Sequence, residues 1–169
     1  SLSIRWVLLS SVANGKSKAY NLLLSEDVLA AINAVKKLGA KVKLNKNYCT
    51  IIGNGLSGYR YRKNITINSE NSGTFGRLVM GLLIDTPYKI KIIGDKSLSK
   101  RDFLRVIKPL QKFGAKFKSN FGKLPVTIIG TNKPKPIKYT ENRGSAQCKS
   151  AVMLASINTR GATIIKAKK

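Results

Sequence analysis

The sequence predicts an α+β fold assembled from repeated βαβαββ units, about two and a half of them, and three observations carry that reading. The first is internal repetition. Leu38-Gly39-Ala40-Lys41-Val42 returns as Phe113-Gly114-Ala115-Lys116-Phe117, and Thr50-Ile51-Ile52-Gly53 returns as Thr127-Ile128-Ile129-Gly130, both displaced by about 75 positions. The second is a small, polar turn leading into an apolar run at three places, which predicts helices over Ser1 to Val12, Asn71 to Ile84 and Gly144 to Ile157. The third is the alternation of Tyr88-Lys89-Ile90-Lys91-Ile92-Ile93, which puts isoleucines and lysines on opposite faces of a half-buried strand.

In chain order, the first copy covers about residues 1–60, the second about 61–134 and a partial third about 135–169. In copy one a second helix follows Ser25, placed as its cap. Glu26 and Asp27 fall in the electropositive first turn, and Val28, Ala31, Ile32, Val35 and Leu38 form an apolar stripe. In copy two Ser99 with Asp102 makes a capping-box arrangement, followed by Phe103, Ile107, Leu110 and Phe113 on one face. Gly39 and Gly114 close these two helices as C-cap glycines. Each copy then ends in two strands, Lys41 to Leu44 with Cys49 to Ile52, and Lys116 to Lys118 with Val126 to Ile129. Asn64 to Asn68 supplies the strand ahead of the second copy's first helix, and the third copy stops after a strand at Thr163 to Lys166. Because the chain starts at a helix start and stops inside a repeat, an incomplete single domain is expected.

Composition narrows the chemistry. Among 169 residues there are 32 Lys and Arg, 7 Asp and Glu and no His, a formal net charge of +25. Without imidazole there is no Ser/His or Cys/His nucleophile system, no His metal ligand and no imidazole pH switch. The 43% of apolar residues suffices for an ordinary core, so disorder is not expected. Cys49 and Cys148 match no zinc or redox spacing and read as reduced thiols of a cytoplasmic protein. No apolar run is long enough for a membrane span, and no signal-peptide pattern opens the chain.

A charge of this size first suggests a polyanionic partner such as nucleic acid. Position argues otherwise. Between Lys89 and Lys138 there are fourteen basic residues and two acids, but the lysines alternate along the strand or, like Lys108, Lys112 and Lys116, line the polar face and exit of a helix. No stacking aromatics interleave with them. Arg5 and Arg77 differ in kind, because both fall early in the first helix of their copies, and Arg101 is expected to open the second helix of copy two. A cation at a helix N-terminus opposes the dipole unless an anion is bound there, so a repeated arrangement points to anion sites. Solvated arginines paired with the few carboxylates would be the plainer reading.

Ser1-Leu2-Ser3-Ile4-Arg5 resembles the tail of the Asp-Lys-Ser-x-Ser-x-Arg motif of EPSP synthases, the 3-phosphoshikimate 1-carboxyvinyltransferases, and Leu24-Ser25-Glu26-Asp27 resembles their Ser-Glu-Asp turn. Asn71-Ser72-Gly73-Thr74-Phe75-Gly76-Arg77 is similar to their Asn-x-Gly-Thr-x-x-Arg motif. Gly94-Asp95-Lys96-Ser97-Leu98-Ser99-Lys100-Arg101 is similar to Gly-Asp-x-Ser-Leu-x-x-Arg, and Ser145-Ala146-Gln147-Cys148-Lys149-Ser150 to Ser-Ala-Gln-x-Lys-Ser. Each motif alone is weak; in order and at these spacings they cover nearly the whole chain.

The resemblance implies the enolpyruvyl transferase fold, an inside-out α/β barrel in each of two domains. It also implies transfer of the enolpyruvyl group of phosphoenolpyruvate to the 5-hydroxyl of shikimate 3-phosphate, with neither metal nor organic cofactor. Ser1, Arg5, Ser145, Ala146 and Gln147 would hold shikimate 3-phosphate. Gly73, Arg101 and Gln147 would hold phosphoenolpyruvate, or glyphosate in its place, with Thr74 and Arg77 supporting. The chemistry suits the residues. Arginine offers a fork to carboxylate or phosphate, glycine admits a ligand to the backbone, and glutamine both donates and accepts. Ser145 could equally be only a helix cap and Gly73 only a turn residue. The family's Lys before the residue aligned with Ser1, its catalytic carboxylates and its further phosphoenolpyruvate-binding Arg and Lys lie outside this chain, in part on a second domain. Asp102 stands where the family usually has Pro, and Asn142-Arg143 precedes the Ser-Ala-Gln segment. A fragment with little or no activity of its own is therefore expected. The alternatives are the sister enolpyruvyl transferase acting on UDP-N-acetylglucosamine and a basic nucleic-acid-binding module.

Overall fold

The computed structural model describes residues 1–167. In copy one, helix α1 (Leu2–Val12) leads to strand β1 (Asn14–Tyr20), helix α2 (Glu26–Lys37) and strands β2 (Lys41–Leu44) and β3 (Tyr48–Asn54). Copy two contains β4 (Ile65–Asn68), α3 (Gly73–Leu82), β5 (Ile90–Ile93), a single turn α4 (Lys96–Ser99), α5 (Leu104–Gln111), β6 (Lys116–Asn120) and β7 (Lys123–Ile129). Copy three contributes β8 (Lys138–Glu141), α6 (Ala146–Ile157) and β9 (Ile164–Ala167).

Copy two is the complete unit. Its sheet runs β4-β5-β7-β6, with β4 and β5 parallel, as a βαβ crossover through α3 requires, and the other pairs antiparallel. Copy one shows the same arrangement as β1-β3-β2, all antiparallel, and copy three shows its parallel opening pair, β8-β9. The repeated glycines have a physical reason in common. A Cβ on Gly53 would lie 2.3 Å from the Ser10 carbonyl oxygen, and one on Gly130 would lie 2.3 Å from that of Thr86. In copies one and two the end of the last strand therefore presses its backbone on the end of, or just past, the first helix. Gly39 and Gly114, at φ 101 and 108, take the left-handed conformation that ends α2 and α5.

The predicted apolar stripes are buried without exception: Val28, Ala31, Ile32, Val35 and Leu38 on α2, and Phe103, Ile107, Leu110 and Phe113 around α5. Helix α3 is enclosed almost all round, with α2 against α1 and α3, and α5 against α3 and α6. Its approach to α6 is close enough that a Cβ on Gly81 would sit 2.2 Å from the Ala151 carbonyl oxygen. The lysines of β5 behave as read, Lys91 exposed between buried Ile90 and Ile92, and Lys108, Lys112 and Lys116 are likewise exposed.

The helix starts of both copies differ in detail from the sequence reading. Ser25 occupies the N-cap of α2 but its side chain makes no capping hydrogen bond. In copy two, Asp95 accepts from the Leu98 amide at 2.6 Å and starts the single turn α4. Asp102 then accepts from the Leu104 amide at 2.7 Å and starts α5. One expected helix is thus two, α4 capped by Asp95 and α5 entered at Phe103 with its first amide held by Asp102. Ser99 ends α4 instead of capping a helix, its hydroxyl bonded back to the Gly94 carbonyl, and Arg101 lies in the link between α4 and α5.

Candidate anion-binding site

The starts of α1, α3 and α6, one from each copy, meet at one end of the molecule. Each is capped by the serine that its sequence offers. Ser1 Oγ accepts from the Ile4 amide at 3.3 Å, Ser72 Oγ from Phe75 at 3.2 Å and Ser145 Oγ from Cys148 at 3.2 Å. At their other ends, Asp85 after α3 accepts from Ser57 of copy one and from Asn158 at the end of α6. Helices α3 and α6 therefore run in the same direction, and their positive ends converge.

Arg77 joins them. Although 7% exposed, its guanidinium is well supplied with acceptors. Nη1 donates to Gln147 Oε1 at 2.9 Å and to the Gly73 carbonyl at 3.4 Å, and Nη2 donates to the Asp102 carbonyl at 3.0 Å. Its plane lies over the Phe103 ring, 4.8 Å from the centroid, and its buried Nε has no partner among the described residues. Burial, then the charge of Arg105, pulls its pKa down, yet a guanidinium stays protonated at neutral pH. Gln147 is held at both ends, because its Nε2 donates to Thr74 Oγ1 at 3.0 Å.

Gly73 lies beneath two guanidinium groups. A Cβ there would stand 2.8 Å from Arg77 Nη1 and 3.3 Å from Arg101 Nη1. Arg101 is exposed and held by Asn71, whose Oδ1 accepts from its Nη2 at 3.0 Å. One Nη1 edge of each arginine thus closes over the buried Gly73 at a helix start. Such an arrangement suits a small oxyanion: partial charge from the helix start and full charge from exposed Arg101, with glycine letting both guanidinium groups sit over the backbone.

Gly73, Thr74, Arg77, Arg101 and Gln147 accordingly share one cluster. Arg5 joins at its edge through α6, donating from Nη2 to Ser150 Oγ at 3.0 Å and from Nη1 to the Ser1 carbonyl at 3.1 Å. Relative to their serine caps, Arg5 is one residue closer than Arg77, so the two are not strict equivalents; Arg5 reaches one turn further along α6. Ser145 and exposed Ala146 form the start of α6 beside Gln147. Asn71, Ser150 and the Asp102 carbonyl were not singled out from sequence. The first two lay within the quoted motifs, but nothing local signals a partner 30 or 145 residues away.

Repeated units of this kind, two of them opening on a parallel strand pair, collected around convergent helix starts make up the enolpyruvyl transferase fold, and solved structures agree. EPSP synthase from Acinetobacter baumannii superposes on 99% of this chain with a TM-score of 0.93 at 32% identity, the match covering 38% of that protein. The sequence model for EPSP synthase (3-phosphoshikimate 1-carboxyvinyltransferase) matches residues 1–169, and this chain belongs to that family. Relatives named 3-phosphoshikimate 1-carboxyvinyltransferase include those of Ruthia magnifica subsp. Calyptogena magnifica, 42% identical over 167 residues, and Vesicomyosocius okutanii subsp. Calyptogena okutanii, 40% over 166. That of Streptococcus pyogenes serotype M1 is 38% identical over 170. The matches take in 98–99% of this chain but only 38–39% of those relatives.

Proposed function

We propose that this chain supplies one substrate-binding lobe of an enzyme that transfers the enolpyruvyl group of phosphoenolpyruvate to shikimate 3-phosphate, in the cytoplasm. The observation that carries the reading is the pair of guanidinium groups of Arg77 and Arg101 converging over Gly73 at the start of α3, with Gln147 held by Arg77 beside them. Phosphoenolpyruvate would sit against Gly73, Arg101 and Gln147. Shikimate 3-phosphate would sit against Ser1, Arg5, Ser145, Ala146 and Gln147, its phosphate at the start of α6. Thr74 and Arg77 act through Gln147. Held this way, the 5-hydroxyl gives up its proton and adds to C2 of phosphoenolpyruvate as C3 takes up a proton, and the tetrahedral adduct then loses a proton from C3 as the bond from C2 to the phosphate oxygen breaks and phosphate leaves. The lobe's part is orientation and charge neutralisation.

The acid and base for those steps belong elsewhere in the enzyme. All seven acids here have structural engagements. Glu26 and Asp27 sit in the first turn of α2, Asp95 caps α4, Asp102 holds the first amide of α5, and Asp85 bridges copies. Glu70 accepts from Asn68, and Glu141 from Tyr139 and Arg143. The two cysteines are free and buried, in keeping with a reducing compartment. We also propose that the chain is an incomplete domain, with copies at about 1–60, 61–134 and 135–169, completed by further chain and a second domain. By the repeat, a second helix of copy three would pack against α6 and α1, which touch at Arg5 and Ser150 and leave Leu9, Met153 and Ile157 exposed.

Calorimetric titration of the protein carrying this chain tests the reading. Shikimate 3-phosphate should bind, and Arg5→Ala should weaken it by about tenfold or more, as loss of a charged hydrogen bond does. Tight binding of UDP-N-acetylglucosamine instead, or salt-steep binding of DNA or RNA with no affinity for shikimate 3-phosphate, would overturn it. The purified 169-residue chain should release no phosphate from the two substrates.

A further inference from the structure

We propose that Glu141 is a positioning residue, whose buried carboxylate sets the turn that presents Ser145, Ala146 and Gln147. The proposal rests on the substrate reading above for its consequence, though not for its geometry. Glu141 ends β8 and is the one buried acid among the described residues, at 3% exposure. It looks onto a cleft of about 440 Å3 whose walls include Arg105, Lys108, Tyr139 and Ser145. A carboxylate withdrawn from water is costly unless its oxygens are met by donors. Here they are: Oε1 accepts from the Arg143 amide at 2.7 Å, and Oε2 accepts from the Tyr139 hydroxyl.

The turn itself has little else to define it. Asn142, Arg143 and Gly144 are all exposed, so no burial of side chains selects their conformation, and Gly144 at φ 67 has open space around its α-carbon. Three such residues separate the strand from Ser145. The bond from the Arg143 amide to Glu141 is the tether that converts a loose connection into one geometry, and Tyr139, two residues back on the same strand, anchors the carboxylate in turn. Ser145 still caps α6 through Cys148 whatever the turn does. Loss of Glu141 should therefore disturb presentation of the helix start more than the helix.

The test uses the protein carrying this chain, with amide hydrogen exchange and steady-state kinetics as readouts. In Glu141→Ala the amides of residues 143–147 should exchange at least about tenfold faster while α3 and α5 keep their protection. The KM for shikimate 3-phosphate should rise about tenfold or more with kcat changed less than about threefold, since saturating substrate restores the turn. Glu141→Gln keeps the shape and an acceptor for the Arg143 amide and should recover most of both effects. If Glu141→Ala fails to fold, Tyr139→Phe, which unties the carboxylate, should produce the same local exchange at smaller size. Unchanged exchange and KM in these variants, or a Gln variant as impaired as Ala, would overturn the proposal. A wild-type protein that binds no shikimate 3-phosphate would sink the substrate reading instead, and the exchange data would still decide the role of Glu141.

Discussion

Arg77 Nη1 donates to Gln147 Oε1 at 2.9 Å, and the two residues stand 70 positions apart on α3 and α6. Because Nη2 of the same guanidinium holds the Asp102 carbonyl, next to Arg101, one side chain ties together the groups proposed for both substrates.

Arg77→Ala should cost about 2–4 kcal/mol of stability, since it strips donors from several acceptors, some of them buried. Arg77→Lys should recover little of this, because one ammonium does not span Gly73, Gln147 and Asp102. Urea unfolding of the single variants and of Arg77→Ala/Gln147→Ala should give a coupling of about 1–2 kcal/mol. Additive losses would mean that the bond does no joint work.

Gly81→Ala forces α3 and α6 apart, the new Cβ lying 2.2 Å from the Ala151 carbonyl oxygen and 3.2 Å from Leu154 Cβ. A loss of about 3 kcal/mol or more is expected. Gly144→Ala, with open space but φ 67, should cost only about 1 kcal/mol of backbone strain. Thermal unfolding of the pair separates steric from conformational cost.

Ser145→Ala removes the cap of α6 and should cost about 1 kcal/mol. If Ser145 also touches shikimate 3-phosphate, the affinity for that ligand should fall by about tenfold, whereas a serine that is only a cap should lose stability alone. Ser145→Thr retains both roles. Calorimetry and melting on the same samples tell them apart.

Acid should expose the role of Glu141. Burial pushes its carboxyl up, but the Tyr139 hydroxyl, the Arg143 and Ser145 amides and the charge of Lys149 outweigh it and hold the pKa below the usual carboxylate range. A pKa lower in the folded than the unfolded state stabilises above the unfolded value, about 4.3 for glutamate, and that contribution drains away as pH falls through the folded value. The stability gap between the wild type and Glu141→Gln should be full at pH 6 to 7 and shrink below about pH 4. A gap independent of pH would show that the charge contributes nothing.

The helices around the site were legible because each signal is local: a serine cap, an apolar stripe and a closing glycine, as at Ser72, Val28 to Leu38 and Gly39. Strand β1 carried almost no such signal. Its residues are mostly exposed, and it exists because β3 offers seven registered partners from Tyr48 to Asn54. The break between α4 and α5 was hidden for another reason. Ser99 and Asp102 have cap spacing, but Asp95 and Asp102 each hold an amide, one for each short helix, with Leu98 and Phe103 buried between and beside them.

The sequence by itself determined the repeat, the apolar faces, the serine-capped starts of α1, α3 and α6 and the residue types of a candidate anion site, since these follow from spacing and from what each side chain does to its nearest neighbours. Only the tertiary structure decided that Arg77 is a buried clamp while Arg101 stays exposed, and that Glu141 is tethered beneath the turn before α6. The clamp depends on acceptors at Gly73, Asp102 and Gln147 brought together by the fold, and a hydrogen bond across 70 residues leaves no period, cap or motif in the sequence to announce it.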